Sequence, residues 1–262
     1  MATYNPYITP KLFRFFRDLK KNNDRDWFQA NKQRYEDDVR GPLLAFIDDF
    51  TGPLYKISPH YRAEAKKVGG SLFRIFRDIR FAKDKSPYKT HAGMHFRHEN
   101  AKDAHAPGFY LHLEPGEVFM GAGIWHPEPA VGRQIRAAMV EHPDRWKKAM
   151  KSSAFRRHGF SLEGEVYKRP PAGFDREHAL IADLMRKDFI AVAGLSEKEV
   201  CALDFPKVFA ARCKPLPTWI EHHARHRSAV PFQVQDPLAG PTVSATTVSK
   251  TGIPDVWLPV FS

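Results

Sequence analysis

Three short runs in the middle of the chain, residues 94–98, 109–114 and 118–124, constrain its fold more than any other feature. Each alternates apolar with polar or small residues, the period of a strand that buries one face. Turn-forming residues separate them at hairpin-like intervals, which predicts an antiparallel meander. In GFYLHLEP, Phe109, Leu111 and Leu113 share one face and leave Tyr110, His112 and Glu114 on the other. In GMHFRHE, Met94 and Phe96 stand opposite His95 and Arg97. One sheet face is therefore expected to be apolar and the other to carry Arg, His and Tyr. Gly121 and Gly123 leave room above that polar face, as glycines do where a ligand or another backbone approaches.

Helical periodicity flanks the strands. Thr9 is placed to cap a helix with Pro10 at its first position, and Leu12, Phe13, Phe16 and Leu19 recur at helical spacing until Asn22 and Asn23. Asp24 caps a second helix carrying Phe28, Tyr35 and Val39, which Gly41 and Pro42 kink or restart before Leu43, Phe46, Ile47 and Phe50. Trp27, Asn31 and Tyr35 lie four apart on one side, where packing is the stronger expectation for the two aromatics. Beyond the strands, helices are expected from Pro127 or Pro129, from Pro143, and from Pro206 to about Arg225. The pattern predicts a single α+β domain over residues 1–226. It has an antiparallel sheet of about four to six strands, with helices from the N-terminal and C-terminal thirds packed on one face. Residues 227–262 turn to Ser, Thr, Val, Pro and Gly and read as an extended C-terminal tail.

The segment from Arg74 to Lys89, RIFRDIRFAKDKSPYK, is the densest in chemistry. It begins as a strand, with Phe73 and Ile75 alternating against Arg74 and Phe76, and passes into a polar loop closed by Pro87. Six cations against Asp78 and Asp84 leave a surplus of four positive charges, so pairing inside the segment cannot neutralise it. A guanidinium can hold a carboxylate or phosphate through two parallel bonds and stays charged at any physiological pH. Arg74, Arg77, Arg80, Lys85, Lys89 and Arg97 are accordingly expected to bind an anion, with Asp78 and Asp84 orienting them. Tyr88 would orient the ligand and His112 would move a proton, since an imidazole among cations is held neutral near pH 7. The competing structural reading makes the same arginines a clasp, each holding an aspartate to fix the loop.

Arg74, Arg77, Asp78, Arg80, Phe81, Asp84, Lys85 and Tyr88 stand in the order and spacing R-x-x-R-D-x-R-F-x-x-D-K-x-x-Y. This resembles the signature of a bacterial family of conserved hypothetical proteins, the domain of unknown function 2461. Asn22 and Asn23 before Trp27, Phe28, Asn31, Lys32 and Tyr35, the stretch Gly108 to Pro115, and Arg169, Pro170, Gly173 and Phe174 resemble it too. The resemblance runs from about Thr9 to about Glu221 and implies no particular reaction, cofactor or substrate.

Composition narrows the classes further. The chain has 262 residues and a formal net charge of +11, and such a surface attracts polyanions. A nucleic-acid binder using the same basic loop is thus the first alternative, although interleaved stacking aromatics for single strands are missing. A protein-interaction module is the second. No run is long and apolar enough to span a membrane, and the first residues lack the pattern of a secretory signal. Two cysteines, Cys201 and Cys213, make neither a metal quartet nor a disulfide scaffold, and point to a reducing cytoplasmic compartment. His222 and His226 are spaced to share a metal but have no third ligand placed by sequence, so no metal and no cofactor is assigned. The leading expectation is an enzyme acting on a phosphorylated or carboxylated small molecule.

Overall fold

The computed structural model describes residues 5–99 and 105–216. The first helix, α1 (Pro10–Lys21), starts as its residues dictate: the Thr9 hydroxyl accepts from the Lys11 amide and Pro10 occupies the first turn. Its buried stripe is Leu12, Phe13, Phe15, Phe16 and Leu19. The Asp24 carboxylate accepts from the Trp27 amide at 2.8 Å and opens α2 (Arg25–Ala30), followed by α3 (Lys32–Tyr35). The expected kink is a π-helical turn over residues 36–40, after which α4 (Gly41–Ile57) continues. Gly41 is required there, because a Cβ would sit 2.8 Å from the Glu36 carbonyl oxygen inside the wide turn.

The three alternating runs form β1 (Ala92–Arg97), β2 (Gly108–Glu114) and β3 (Glu117–Ile124), an antiparallel meander. There follow α5 (Pro129–Glu141), α6 (Pro143–Met150), α7 (Ser153–Arg157), β4 (Ser161–Glu163) and α8 (Ile181–Leu184). The last elements among the described residues are β5 (Phe189–Leu195), α9 (Glu197–Cys201) and α10 (Phe205–Cys213). The sheet is antiparallel throughout in the order β1-β2-β3-β5-β4. The fold is α+β, with five strands among the described residues.

Two elements differ from the sequence expectation. The second half was expected to be mostly helical, yet FIAVAGL at β5 pairs with all but the first residue of β3. A short, nearly continuous apolar run has no helical or two-residue period to declare it. The strand expected through Phe73 and Ile75 is reduced to two isolated bridges, Leu72 with Met94 and Phe76 with Tyr88. Between them four residue steps on one side face six on the other (76 − 72 against 94 − 88), and this mismatch breaks the ladder. The segment still lines the outer edge of β1, through Phe73 N–H to the Gly93 carbonyl and His95 N–H to the Ser71 carbonyl.

The apolar sheet face is where the core forms. Phe96 of β1 meets Phe50 of α4 and Phe209 of α10 at ring separations of 5.0 and 5.9 Å, so helices from both ends of the described chain close on one strand. Cys201 and Cys213 are free thiols buried in this core, and burial raises both thiol pKa values. Arg136 of α5 is buried, donates to the Leu184 and Arg186 carbonyls and lies on the rings of Tyr167 and Phe189.

A carboxylate ties the end of β3 to the start of β5. Asp188 is fully buried and accepts from the His126 amide at 2.7 Å, the His126 ring at 2.8 Å and the Glu165 amide at 2.9 Å. His126 adopts a left-handed φ of 44° to make the first two of these bonds. Gly164, at φ 112°, lies so close that a Cβ would be 2.5 Å from that of Asp188. Among the described residues no helix is long and apolar enough to cross a membrane. His222, His226 and the 227–262 tail lie outside the described residues.

Candidate functional site

The antiparallel register assembles the polar face. Gly93 pairs with His112, His95 with Tyr110, His112 with Phe119 and Tyr110 with Gly121. Paired residues share a face, so the histidines and the tyrosine stand side by side across β1, β2 and β3. Half-solvated antiparallel sheets show such a face to water. Here it is covered: His95, Tyr110, His112 and Phe119 are all buried, and His112 is 0 % exposed. Phe73 lies 6.2 Å from the His95 ring and 6.0 Å from Tyr110, and the Lys89 ammonium rests 5.6 Å from the Phe73 ring. Gly93 is the floor on which the Tyr110 phenol lies; a Cβ at that position would be 2.4 Å from the hydroxyl.

His112 is the centre of this face. Its Nδ1 is 3.1 Å from the Tyr110 hydroxyl, and its ring stacks on Phe119. The other nitrogen, Nε2, is buried and makes no well-formed hydrogen bond among the described residues, with Glu114 at the outer limit of bonding distance. Buried polar atoms are rarely left so, because an unmade bond costs roughly 1–3 kcal/mol. The Glu114 carboxylate Oε2 is 3.5 Å from this nitrogen and 3.8 Å from His91 Nδ1. One donor atom from each of His91, His112 and Glu114 lies within 4.8 Å of the others, the group of this kind found among the described residues. The Thr90 hydroxyl donates to the second Glu114 oxygen at 2.9 Å, which leaves Oε2 to the imidazoles.

Burial and neighbouring charges act on several groups of this face. Burial lowers the His91 pKa, and the neighbouring His112 and then Lys89 and Arg77 push it the same way while Glu114 opposes them. Burial and then Arg97 hold His95 down to about 3. Burial works to raise the Glu114 carboxyl, but His112, Thr90 and His91 outweigh it and keep it below the ordinary glutamate value. Burial and Arg74 bring Lys89 down to about 8.

The predicted anion-binding residues are divided by the structure. Arg77 donates to Asp84 and to the Ser86 carbonyl, and Arg80 donates through Nε and a terminal nitrogen to Asp78. Lys85 donates to the carbonyls of Ile79 and Arg80, so the 77–86 loop is tied largely to itself. Arg97 is held by Glu64 at 2.8 Å and by the Gly69 carbonyl. Arg74 is exposed and alternates to the side opposite Phe73, with its charge still acting on Lys89. Tyr88 is buried in the core, stacked on Phe28 at 4.1 Å. Lys89 and Arg77 are the members whose charge reaches His91, and His112 adjoins His91.

The residue pattern alone points to no metal and does not mark His91 or Glu114 as site residues. A signal for both was present. His112 and Glu114 are two apart on the polar face, and His91 lies one step beyond the Ala92–Leu113 pair, across from Glu114. Only the register reveals that closure.

These features define an α+β protein whose antiparallel sheet carries a covered His/Tyr/Glu face beside a cationic edge segment. A family model of conserved hypothetical proteins, DUF2461, matches residues 11–221, and the chain belongs to that family. No curated protein matches it.

Proposed function

We propose that this protein is an enzyme acting on a small molecule that bears a phosphate or carboxylate, with its reaction centre at His91, His112 and Glu114. The observation that carries this reading is His112 Nε2, an imidazole nitrogen buried with no well-formed hydrogen bond among the described residues and 3.5 Å from a carboxylate. A fold under selection for stability alone would favour an apolar residue at such a position, so the poorly bonded donor–acceptor suggests use. His112 itself is sealed from solvent, whereas the side chains of His91 and Glu114 keep 12 % and 14 % of their surface. The substrate therefore meets His91 and Glu114 at the rim, and His112 acts behind them. Lys89, Arg77 and Arg74 make the adjoining edge positive and supply the pull on an anion. Arg80, Lys85, Asp78 and Asp84 shape the loop that bears Arg77. Two free buried cysteines suit a reducing compartment, and the cytoplasm is where this reading places the protein.

The test is a thermal-shift screen of sulfate, phosphate and phosphorylated or carboxylated metabolites against the wild-type protein and a Lys89→Met variant. The expected result is a class of anions that raises the wild-type Tm and leaves the variant unmoved. If no anion shifts the wild type, or if both proteins respond alike, the substrate reading is wrong. A duplex that binds with a log–log salt slope near −3.6, from about four neutralised phosphates, would instead make the chain a nucleic-acid binder.

A further inference from the structure

We infer that His91 Nδ1, His112 Nε2 and the Glu114 carboxylate form a binding site for a divalent transition-metal ion, zinc or ferrous iron in chemical class. The inference deepens the reading above and rests on the same site, but it stands on donor geometry rather than on any substrate. Two imidazole nitrogens and one carboxylate oxygen are the donor set of catalytic zinc and of mononuclear non-haem iron, and hard, all-oxygen cations are poorly served by it. Three protein ligands leave at least one coordination position open.

Several independent features agree. The three donor atoms lie within 4.8 Å of one another, with two of the separations at 3.5 and 3.8 Å. Ligands at about 2.0–2.1 Å around a tetrahedral ion stand roughly 3.3 Å apart, so closure needs only small rotations. Those rotations fall to His91 and Glu114, the two side chains that retain some surface. His112 needs none of this freedom, because its ring is already fixed between Phe119 and the Tyr110 hydroxyl.

The surrounding shell is the kind a metal ligand requires. With its proton on Nδ1, His112 donates to the Tyr110 oxygen and turns the Nε2 lone pair toward Glu114 and His91. Thr90 donates to Glu114 Oε1 and so aims Oε2 inward. The charges of Lys89 and Arg77 reach His91. The same cations weaken the hold on a bare divalent ion. A phosphate or carboxylate bound at the open position offsets that repulsion, so metal and anion are expected to strengthen each other's binding by equal factors.

The experiment uses the full-length chain, stripped with a chelator and titrated with cobalt(II) alone by visible absorption and with zinc(II) alone by calorimetry. The expected result is saturable one-to-one binding with the absorption of a nitrogen- and oxygen-ligated cobalt ion. Glu114→Gln, which keeps the acceptor for Thr90, and His91→Asn should each weaken binding by ~100-fold or more while leaving the metal-free Tm within about 2 °C of wild type. His112→Gln serves as a third variant only where its metal-free Tm is retained. Failure of the wild type to bind either ion one-to-one, or unchanged affinity in the Glu114 and His91 variants, overturns the inference. Metal binding without any anion response in the screen above sustains the cation site and removes the anionic substrate. An anion response without metal binding does the reverse.

Discussion

Replacing Asp188 with Ala removes the one acceptor that two strand ends share. The buried carboxylate takes the His126 and Glu165 amides and the His126 ring at 2.7 to 2.9 Å. A hydrogen bond to a charged group contributes about 1.5–3 kcal/mol, so the two amides together represent roughly 3–6 kcal/mol. The ring bond adds little, because the His126 side chain is 44 % exposed and solvent screens it. Water entering the space left by the carboxylate recovers part of the loss, which leaves a net cost of about 3–5 kcal/mol. For a domain of this size 1 kcal/mol moves Tm by roughly 2–4 °C, giving an expected fall of about 6–20 °C by calorimetry. The pH dependence gives a second reading of the same event. Burial tends to raise the Asp188 pKa, but the His126 ring and the two amides lower it below the ordinary value. A depressed carboxyl stabilises above its unfolded pKa of about 3.9, and that contribution is lost as pH falls through the folded value. His126 is raised by Asp188, so its contribution is complete below about 6.5 and is lost as pH rises through its folded value. The gap between wild type and variant should therefore be widest between roughly pH 4 and 6.5 and should narrow on both sides. A Tm loss under about 3 °C, or a gap that does not change with pH, would refute the assignment of Asp188 as the clasp.

Two further substitutions probe the sheet from its two faces. Gly93→Ala should force the Tyr110 hydroxyl off the floor it occupies, since the new Cβ falls 2.4 Å from it. The expected cost is about 1–3 kcal/mol, and the His112 Nδ1 resonance should shift as its partner leaves; an unchanged resonance counts against the Tyr110–His112 bond. On the apolar face, Phe96→Ala should cost about 3–5 kcal/mol in denaturant unfolding, because Phe50 and Phe209 both rest on that ring, and a loss under about 1 kcal/mol would contradict the packing.

How much was legible in the chain depended on how local the cause was. Thr9 and Asp24 cap their helices through bonds spanning two and three residues (11 − 9 and 27 − 24), so the residue types sufficed to place both starts. The split of Phe109, Leu111 and Leu113 from Tyr110, His112 and Glu114 follows from the two-residue period of a strand, and the structure keeps it. Periodicity could not say that the polar face would be covered, because Phe73 reaches it from an edge segment outside the meander. Nor could it place β5, whose buried run lacks the alternation that marks a half-exposed strand.

The sequence by itself determined the α+β class, the helix starts, the two faces of the central strands and the charge carried between Arg74 and Lys89. Tertiary structure decided which cation meets which acid: Arg77 with Asp84, Arg80 with Asp78, and Arg97 with Glu64 across 33 residues. It also decided that His91 comes to His112 and Glu114, since that depends on the β1–β2 register. The division has one physical reason. Caps and alternation are set by neighbours along the chain, whereas ion pairs and the His91–His112–Glu114 cluster exist only once distant segments are held in register by the core.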